Sequence, residues 1–336
     1  MNYKKIIWWS IIVAFGGFVF GFDTAVISGA EQEIQNLWNL SDTMIGQTVA
    51  MALYGTVIGA LLGGFPSEVL GRKRTLVFVA ILFLISAVGS AFSPEVYSLM
   101  FFRFIGGLAV GASSVVAPMY ISEISPTNKR GQLTALFQFN IVVGILISYL
   151  SNYFIGGASD GNWRIMLGIE IIPAALFLIL IFFVPRSPRW LILKKGLIDE
   201  AREVLQEIDP SQVENNIASI QYNQDNNESK GGLKEFFSGK FNIPISLAFL
   251  IAFFNQLSGI NAVIYYSPRI FAETGMGESA SLLSSVGVGF INLIATLLGI
   301  FLIDRMGRKF LMYICSFGYI ITLGLISLTF YTGFGE

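Results

Sequence analysis

Three charged residues sit inside apolar runs: Asp23 in Phe20-Gly21-Phe22-Asp23-Thr24, Arg103 early in a later run, and Glu170 in another. A lone ionised group in hydrocarbon costs about 2.5–3.5 kcal/mol on insertion scales, so such groups pair, face an interior or titrate. There is no histidine, and the single Cys315 lies in an apolar run. Proton chemistry therefore falls to carboxylates, and a His- or thiol-ligated metal site and a disulfide framework are excluded. One reading of Asp23 and Arg103 is a permanent salt bridge that fixes helix packing. The other, which we favour for an intramembrane acid, is a carboxylate that takes up a proton and releases the arginine. Glu170 is either a second relay acid or a hydrogen-bonded one.

A second group of candidates is neutral. Gln138 and Asn140 open one apolar run, Asn255-Gln256-Leu257-Ser258-Gly259-Ile260-Asn261 interrupts another, Tyr265-Tyr266 follow, and Asn292 lies in a third. Amides donate and accept at once, which suits polyhydroxy ligands. A single amide is read as an interhelical hydrogen bond worth about 0.6–2 kcal/mol. Amides on several runs beside tyrosines are read as a polar cavity, with Ser258-Gly259 loosening the helix that carries Gln256 and Asn261.

The elements that must hold these residues follow from composition. Hydrophobic residues make up 54% and charged residues 13% of the chain, against about 25% charged in soluble domains. Mean hydropathy is +0.67. A bilayer is the solvent such a chain needs. Nine apolar runs are long enough to span it: about 6–30, 45–65, 75–92, 99–122, 132–154, 165–185, 241–268, 280–303 and 310–331. The net charge of −1 gives no sign of a nucleic-acid partner. Trp8, Trp9, Trp38, Trp163 and Trp190 fall at run ends, as interfacial anchors do. Gly106, Gly107 and Gly111 follow Arg103 at close-approach spacing.

Apart from Arg103, Arg164 and Arg269, every basic residue falls before the first run or in an even-numbered connection; the other connections carry Glu31, Glu33, Asp42, Glu95, Asp160, Glu273 and Glu278. The positive-inside rule places the amino terminus in the cytoplasm. A charged hairpin occurs twice with one spacing, Gly63-Glu68-Gly71-Arg72-Lys73 and Gly299-Asp304-Gly307-Arg308-Lys309, the mark of an internal duplication. The second copy is cut short, so the pattern leads us to expect a longer parent chain. The expected organisation is an all-helical membrane protein: a six-span bundle over 1–185, cytoplasmic helices over 186–240 and a partial second bundle over 241–336. Helices are expected over 190–208 and a loop over 221–233.

These residues resemble the sugar porter family of the major facilitator superfamily, above all its bacterial sugar–proton symporters of the xylose type and its facilitative glucose transporters. The resemblance rests on Gly21-Phe22-Asp23-Thr24, Arg103 with Gly106-Gly107, Pro118-Met119-Tyr120-Ile121-Ser122-Glu123 with Arg130-Gly131, Pro185-Arg186-Ser187-Pro188-Arg189-Trp190, and Gln256-Leu257-Ser258-Gly259-Ile260-Asn261-Ala262. It implies sugar contacts from Gln138, Gln256, Asn261 and Asn292, and proton coupling through Asp23 and Arg103; the residues themselves add Asn255 and Tyr265 to the substrate candidates and Glu170 to the coupling candidates. It further implies a cytoplasmic gating network of Glu68, Arg72, Glu123, Arg130, Arg189, Asp304 and Arg308. The chain departs from the family at Asn255, where Gln is usual, at Arg186, where Glu is usual, and at Val69, where Arg is usual. The implied activity is transport of a monosaccharide with a proton across the cell membrane by alternating access, by a monomer without cofactor or metal and without covalent chemistry. The alternatives are a facilitative uniporter, a non-transporting sugar sensor or an inactive fragment.

Overall fold

The computed structural model describes residues 2–126, 128–156, 162–227, 239 and 241–332, without the side chains of 223–227, 304, 308, 329 and 330. Every regular element among them is helical. The first five spans are single helices: α1 Tyr3–Leu37, α2 Asp42–Val69, α3 Arg72–Ala91, α4 Val96–Ile124 and α5 Arg130–Gly156. The sixth runs from Trp163 to Phe183 and comprises α6 Trp163–Gly168 and α7 Ile171–Leu180, with a final 3-10 turn. Next come α8 Pro188–Trp190 with a π turn over Leu191–Lys195, α9 Ile198–Ile208 and α10 Val213–Asn227. The seventh span is α11 Asn242–Leu257 plus α12 Ile260–Ala272, followed by α13 Glu278–Met306 and α14 Arg308–Thr332. By length and composition, nine segments among the described residues can cross a membrane, as the apolar runs predict.

In lipid, apolar side chains gain little from leaving their solvent, so helices associate by close backbone approach. Along α2 and α4, a Cβ added at Gly55, Gly59, Gly107 or Gly111 would run into the facing backbone. Along α1 and α5 the same holds at Gly17, Gly21 and Gly144, which face the carbonyls of Phe137, Ile141 and Phe18. Outward-facing Leu61, Leu62, Phe65, Phe101, Ile172 and Phe183 leave an apolar girdle for the acyl chains.

The duplicated hairpin has a backbone cause. Gly71 (φ 88°, ψ 159°) and Gly307 (φ 77°, ψ 155°) adopt one conformation, which only glycine takes without strain. At Gly71 the Trp190 ring also packs 3.0 Å from where a Cβ would stand.

Two details differ from the sequence reading. The sixth span is not one continuous helix: Pro173 cannot donate to the Ile169 carbonyl, which instead takes the Ile172 N–H at 3.1 Å, and the chain breaks at Ile169-Glu170. Residues 221–227, expected as loop, are the end of α10. Val213 and Ile217 are buried with Trp190, Leu191 and Leu205, and that apolar seam organises a polar helix. The remainder of the expected loop, 228–233, lies outside the described residues.

Basic residues 72–74, 129–130 and 186–202 gather at one end of the molecule, and Glu31, Asp42, Glu95 and Glu278 at the other. We call these the basic end and the acidic end. The last three spans touch the first six mainly through α12 against α1 and α13 against α5. Gly289 of α13 packs on Leu146 and Tyr149, and Leu282 lies against Gly156, so this seam occupies the acidic half. By contrast α11 has no buried residue.

Candidate functional site

Asp23 and Arg103 meet. Arg103 Nη1 donates to Asp23 Oδ1 at 2.8 Å and to the Asp23 carbonyl at 3.1 Å, and both side chains are within 2% of full burial. Gly106, one turn beyond Arg103, makes room: a Cβ there would lie 2.5 Å from Ser86 Oγ and 3.4 Å from Asp23 Oδ1. Glu170 is buried beside the pair and interacts with both partners. Arg103 Nε and Nη2 and Glu170 Oε1 have no hydrogen-bond partner. The cluster thus holds two carboxyls, one guanidinium and unused donors on the arginine. It can rearrange if either acid changes protonation.

Asn255, Gln256 and Asn261 lie on a broken span, Gln138 on α5 and Asn292 on α13. Gly259 (φ 78°) ends α11 in a left-handed turn with nothing within 4 Å of a Cβ position. Across that turn Asn261 Nδ2 donates to Gln256 Oε1 at 2.8 Å. Asn255, Gln256 and Gln138 are exposed and Asn292 is half-buried. Gln138 and Asn292 each lie on the basic side of the α5–α13 seam. Tyr265, one turn beyond Asn261 on the same helix, is buried in an apolar cluster with Phe22, Val26, Ile45 and Leu99.

Past Tyr265 the helix is distorted again, with Tyr266 at φ −116° and ψ 18°. Pro268 has no N–H for the Ile264 carbonyl. Tyr149 Oη on α5 donates to that carbonyl at 2.8 Å. A helix defect on one side of the seam is satisfied from the other.

At the basic end, Arg72 holds Glu123 through Nη2 at 2.9 Å and Nε at 3.1 Å, and Glu68 at 3.1 Å. Ser187 donates to Glu123, Lys194 reaches Glu68 at 2.9 Å, and Trp190 Nε1 donates to the Glu68 carbonyl at 2.8 Å. Arg186, the family departure, pairs with Glu200 of α9 at 3.2 Å. This network ties the first six spans to α8–α9. Arg130 and Arg189 are exposed, and the side chains of Asp304 and Arg308 lie outside the described residues.

Comparison with known proteins decides the family. The family description "Sugar (and other) transporter" matches residues 9–334. The chain belongs to the sugar transporter family. It is 40% identical over 319 residues to the D-xylose transporter of Levilactobacillus brevis, covering 94% of this chain and 69% of that one. It is 36% identical over 357 residues to the D-xylose-proton symporter of Escherichia coli (strain K12), covering 96% and 72%. Among solved structures, the xylose transporter XylE from E. coli in a partially occluded inward open conformation aligns with a TM-score of 0.87 at 34% identity, over 98% of this chain and 80% of that one. The fold is thus that of the major facilitator superfamily, and the relatives of this sugar transporter family member are carriers, not enzymes.

One feature of this transporter had no counterpart among the sequence candidates. Arg269 of α12 and Glu31 of α1, both read as ordinary connection charges, form a close pair at the acidic end. The signal for it was the presence of Arg269, with Arg164 one of two arginines in the otherwise acidic connections.

Proposed function

We propose that this chain carries a monosaccharide together with a proton across the cell membrane, with its basic end in the cytoplasm. In this reading 1–185 and 241–336 act as two bodies, and the helices of 186–240 lie beneath them. The observation that carries the proposal is the buried Asp23–Arg103–Glu170 cluster. Ionised Asp23 is held by Arg103. A proton on Asp23 removes the attraction, and the free donors of Arg103 can then turn to Glu170. Protonation thereby changes the contact between α1 and α4 without leaving a bare charge in hydrocarbon.

Sugar binding falls to Gln138, Asn255, Gln256, Asn261 and Asn292, with Tyr265 closing over α1. Gln256 and Asn261 satisfy each other, so a sugar hydroxyl that inserts between them exchanges one hydrogen bond for two. The seam at the acidic end matches a form open toward the basic end, and the named conformation of the XylE relative supports the same view. A partner that is xylose-like is the first choice, because both xylose carriers align along nearly the whole chain.

The test is sugar-driven proton movement. Purified protein in proteoliposomes with an internal pH dye is given a panel of labelled pentoses and hexoses. Acidification of the lumen on adding one sugar is expected. Saturable sugar flux without any pH change would replace symport by facilitated uniport.

A further inference from the structure

Arg269 grips Glu31 with two prongs: Nε to Oε1 at 2.8 Å and Nη2 to Oε2 at 2.6 Å. Nη2 also donates to Gln35 Oε1, and Gln35 Nε2 in turn donates to Asp42 Oδ1 at 2.8 Å. The Tyr266 ring lies 6.0 Å from the guanidinium. The Glu31 side chain is fully buried, while that of Arg269 is 24% exposed. Planar bidentate contact of this kind is the strong form of an ion pair. Removing one partner from a buried pair leaves the other uncompensated.

Its placement matters more than its strength. Among the described residues, every other ion pair joins elements within the first six spans and α8–α10. Arg269–Glu31 is the one that crosses from those spans to the last three. Arg269 rides on the short piece of α12 beyond the Tyr266 distortion, which is itself hinged to α11 at Gly259. The helix that carries the arginine is therefore set off from its own span and fastened to α1 instead.

We propose that Glu31 and Arg269, braced by Gln35, are the gating residues at the acidic end: their ion pair holds α12 against α1, and the path from the amides of α11 and α12 to that side opens only when they part. This rests on the alternating-access reading above. The pair touches neither sugar nor the Asp23 cluster. It acts by setting the balance between the two forms. A carrier that must return empty needs such a contact to be breakable, and the partial exposure of Arg269 lets water take over its donors when Glu31 leaves.

The experiment measures distance across the gate in the full-length protein. Cysteines replace the exposed Asn36 and Thr274 in a Cys315→Ser background, carry spin labels, and are measured by double electron–electron resonance in nanodiscs without sugar. Glu31→Gln and Arg269→Gln are each expected to raise the long-to-short population ratio at least tenfold, about 1.4 kcal/mol. The double exchange Glu31→Arg with Arg269→Glu is expected to restore the short distance. Single variants that keep the wild-type distribution, or an exchange no closer to wild type than the singles, would overturn the proposal. Should Glu31→Gln not fold, Arg269→Lys carries the test, since it keeps the charge and loses the fork; a wild-type distribution for it is equally fatal. Sugar counterflow on the same samples reports separately on transport, so a failure of that reading shows without disturbing the distances.

Discussion

Replacing Tyr149 by Phe removes one oxygen and nothing else, and the structure fixes where the loss is felt. The Tyr149 hydroxyl is the donor to the Ile264 carbonyl at 2.8 Å, which Pro268 cannot serve. Tyr149 is 1% exposed, so water does not reach the carbonyl while α5 and α12 are together. An unsatisfied buried acceptor costs about 1–3 kcal/mol. When the acidic end parts, water hydrates the carbonyl in wild type and variant alike. The penalty therefore falls on the closed form alone. At about 1.4 kcal/mol per tenfold, the closed-to-open ratio should drop roughly 5- to 150-fold. The assay is labelling of Gln138→Cys, in a Cys315→Ser background, by a membrane-impermeant maleimide added to whole cells. Gln138 lies on the basic side of the seam, so the reagent reaches it only through an open acidic end. Tyr149→Phe should label faster by a factor in that range. A folded variant that labels at the wild-type rate would refute the reasoning, because it would mean the carbonyl is satisfied otherwise or the seam does not open.

Asp23→Asn keeps an acceptor for Arg103 and removes the titration, so uphill sugar accumulation should vanish while counterflow persists; accumulation against a gradient in proteoliposomes would contradict the coupling role. Gln256→Ala should weaken sugar binding by about ten- to a hundredfold, read by tryptophan fluorescence or calorimetry, from the loss of roughly 1–3 kcal/mol of hydrogen bonding. Gly106→Ala should lower thermal stability by about 1–3 kcal/mol, since its Cβ meets Ser86 Oγ at 2.5 Å and crowds Asp23; a melting temperature equal to wild type would show that α3 and α4 yield freely. Glu123→Gln loosens Arg72 and Ser187 together, and faster hydrogen exchange over 187–195 is the expected readout.

The sequence exposes some of this and hides the rest for physical reasons. Asp23 and Arg103 stand out because hydrocarbon makes any charge costly, so their types and depth alone predict that they meet. The nine spans stand out because a bilayer fixes their length. Glu31 and Arg269 do not stand out, because charges at span ends are ordinary and their pairing depends on a long-range approach of α12 to α1. Nor does the role of Tyr149: the defect that it repairs lies on another span, and only the fold brings the two together. Pro173 could have marked the break at Glu170, since its missing N–H is local. The helicity of 221–227 was hidden because composition there is polar, and its order comes from Val213 and Ile217 upstream.

Backbone-on-backbone contact at Gly17, Gly21 and Gly144 has a mechanical consequence. Where two main chains touch, there is no side chain to change rotamer and absorb a displacement, so α1 and α5 must travel as one stiff arm. Across the seam the approach is looser, with Leu146 Cα 3.2 Å from a Cβ position at Gly289 and side chains filling the remainder. Compliance is concentrated in the stretch from Gly259 to Pro268. A load applied at either face of the protein would therefore be felt first as bending there, long before the α1–α5 arm deforms. An L side chain disfavours the φ of 78° at Gly259, so Gly259→Ala should strain this joint and alter the rate of every step that bends it, whichever solute is on board.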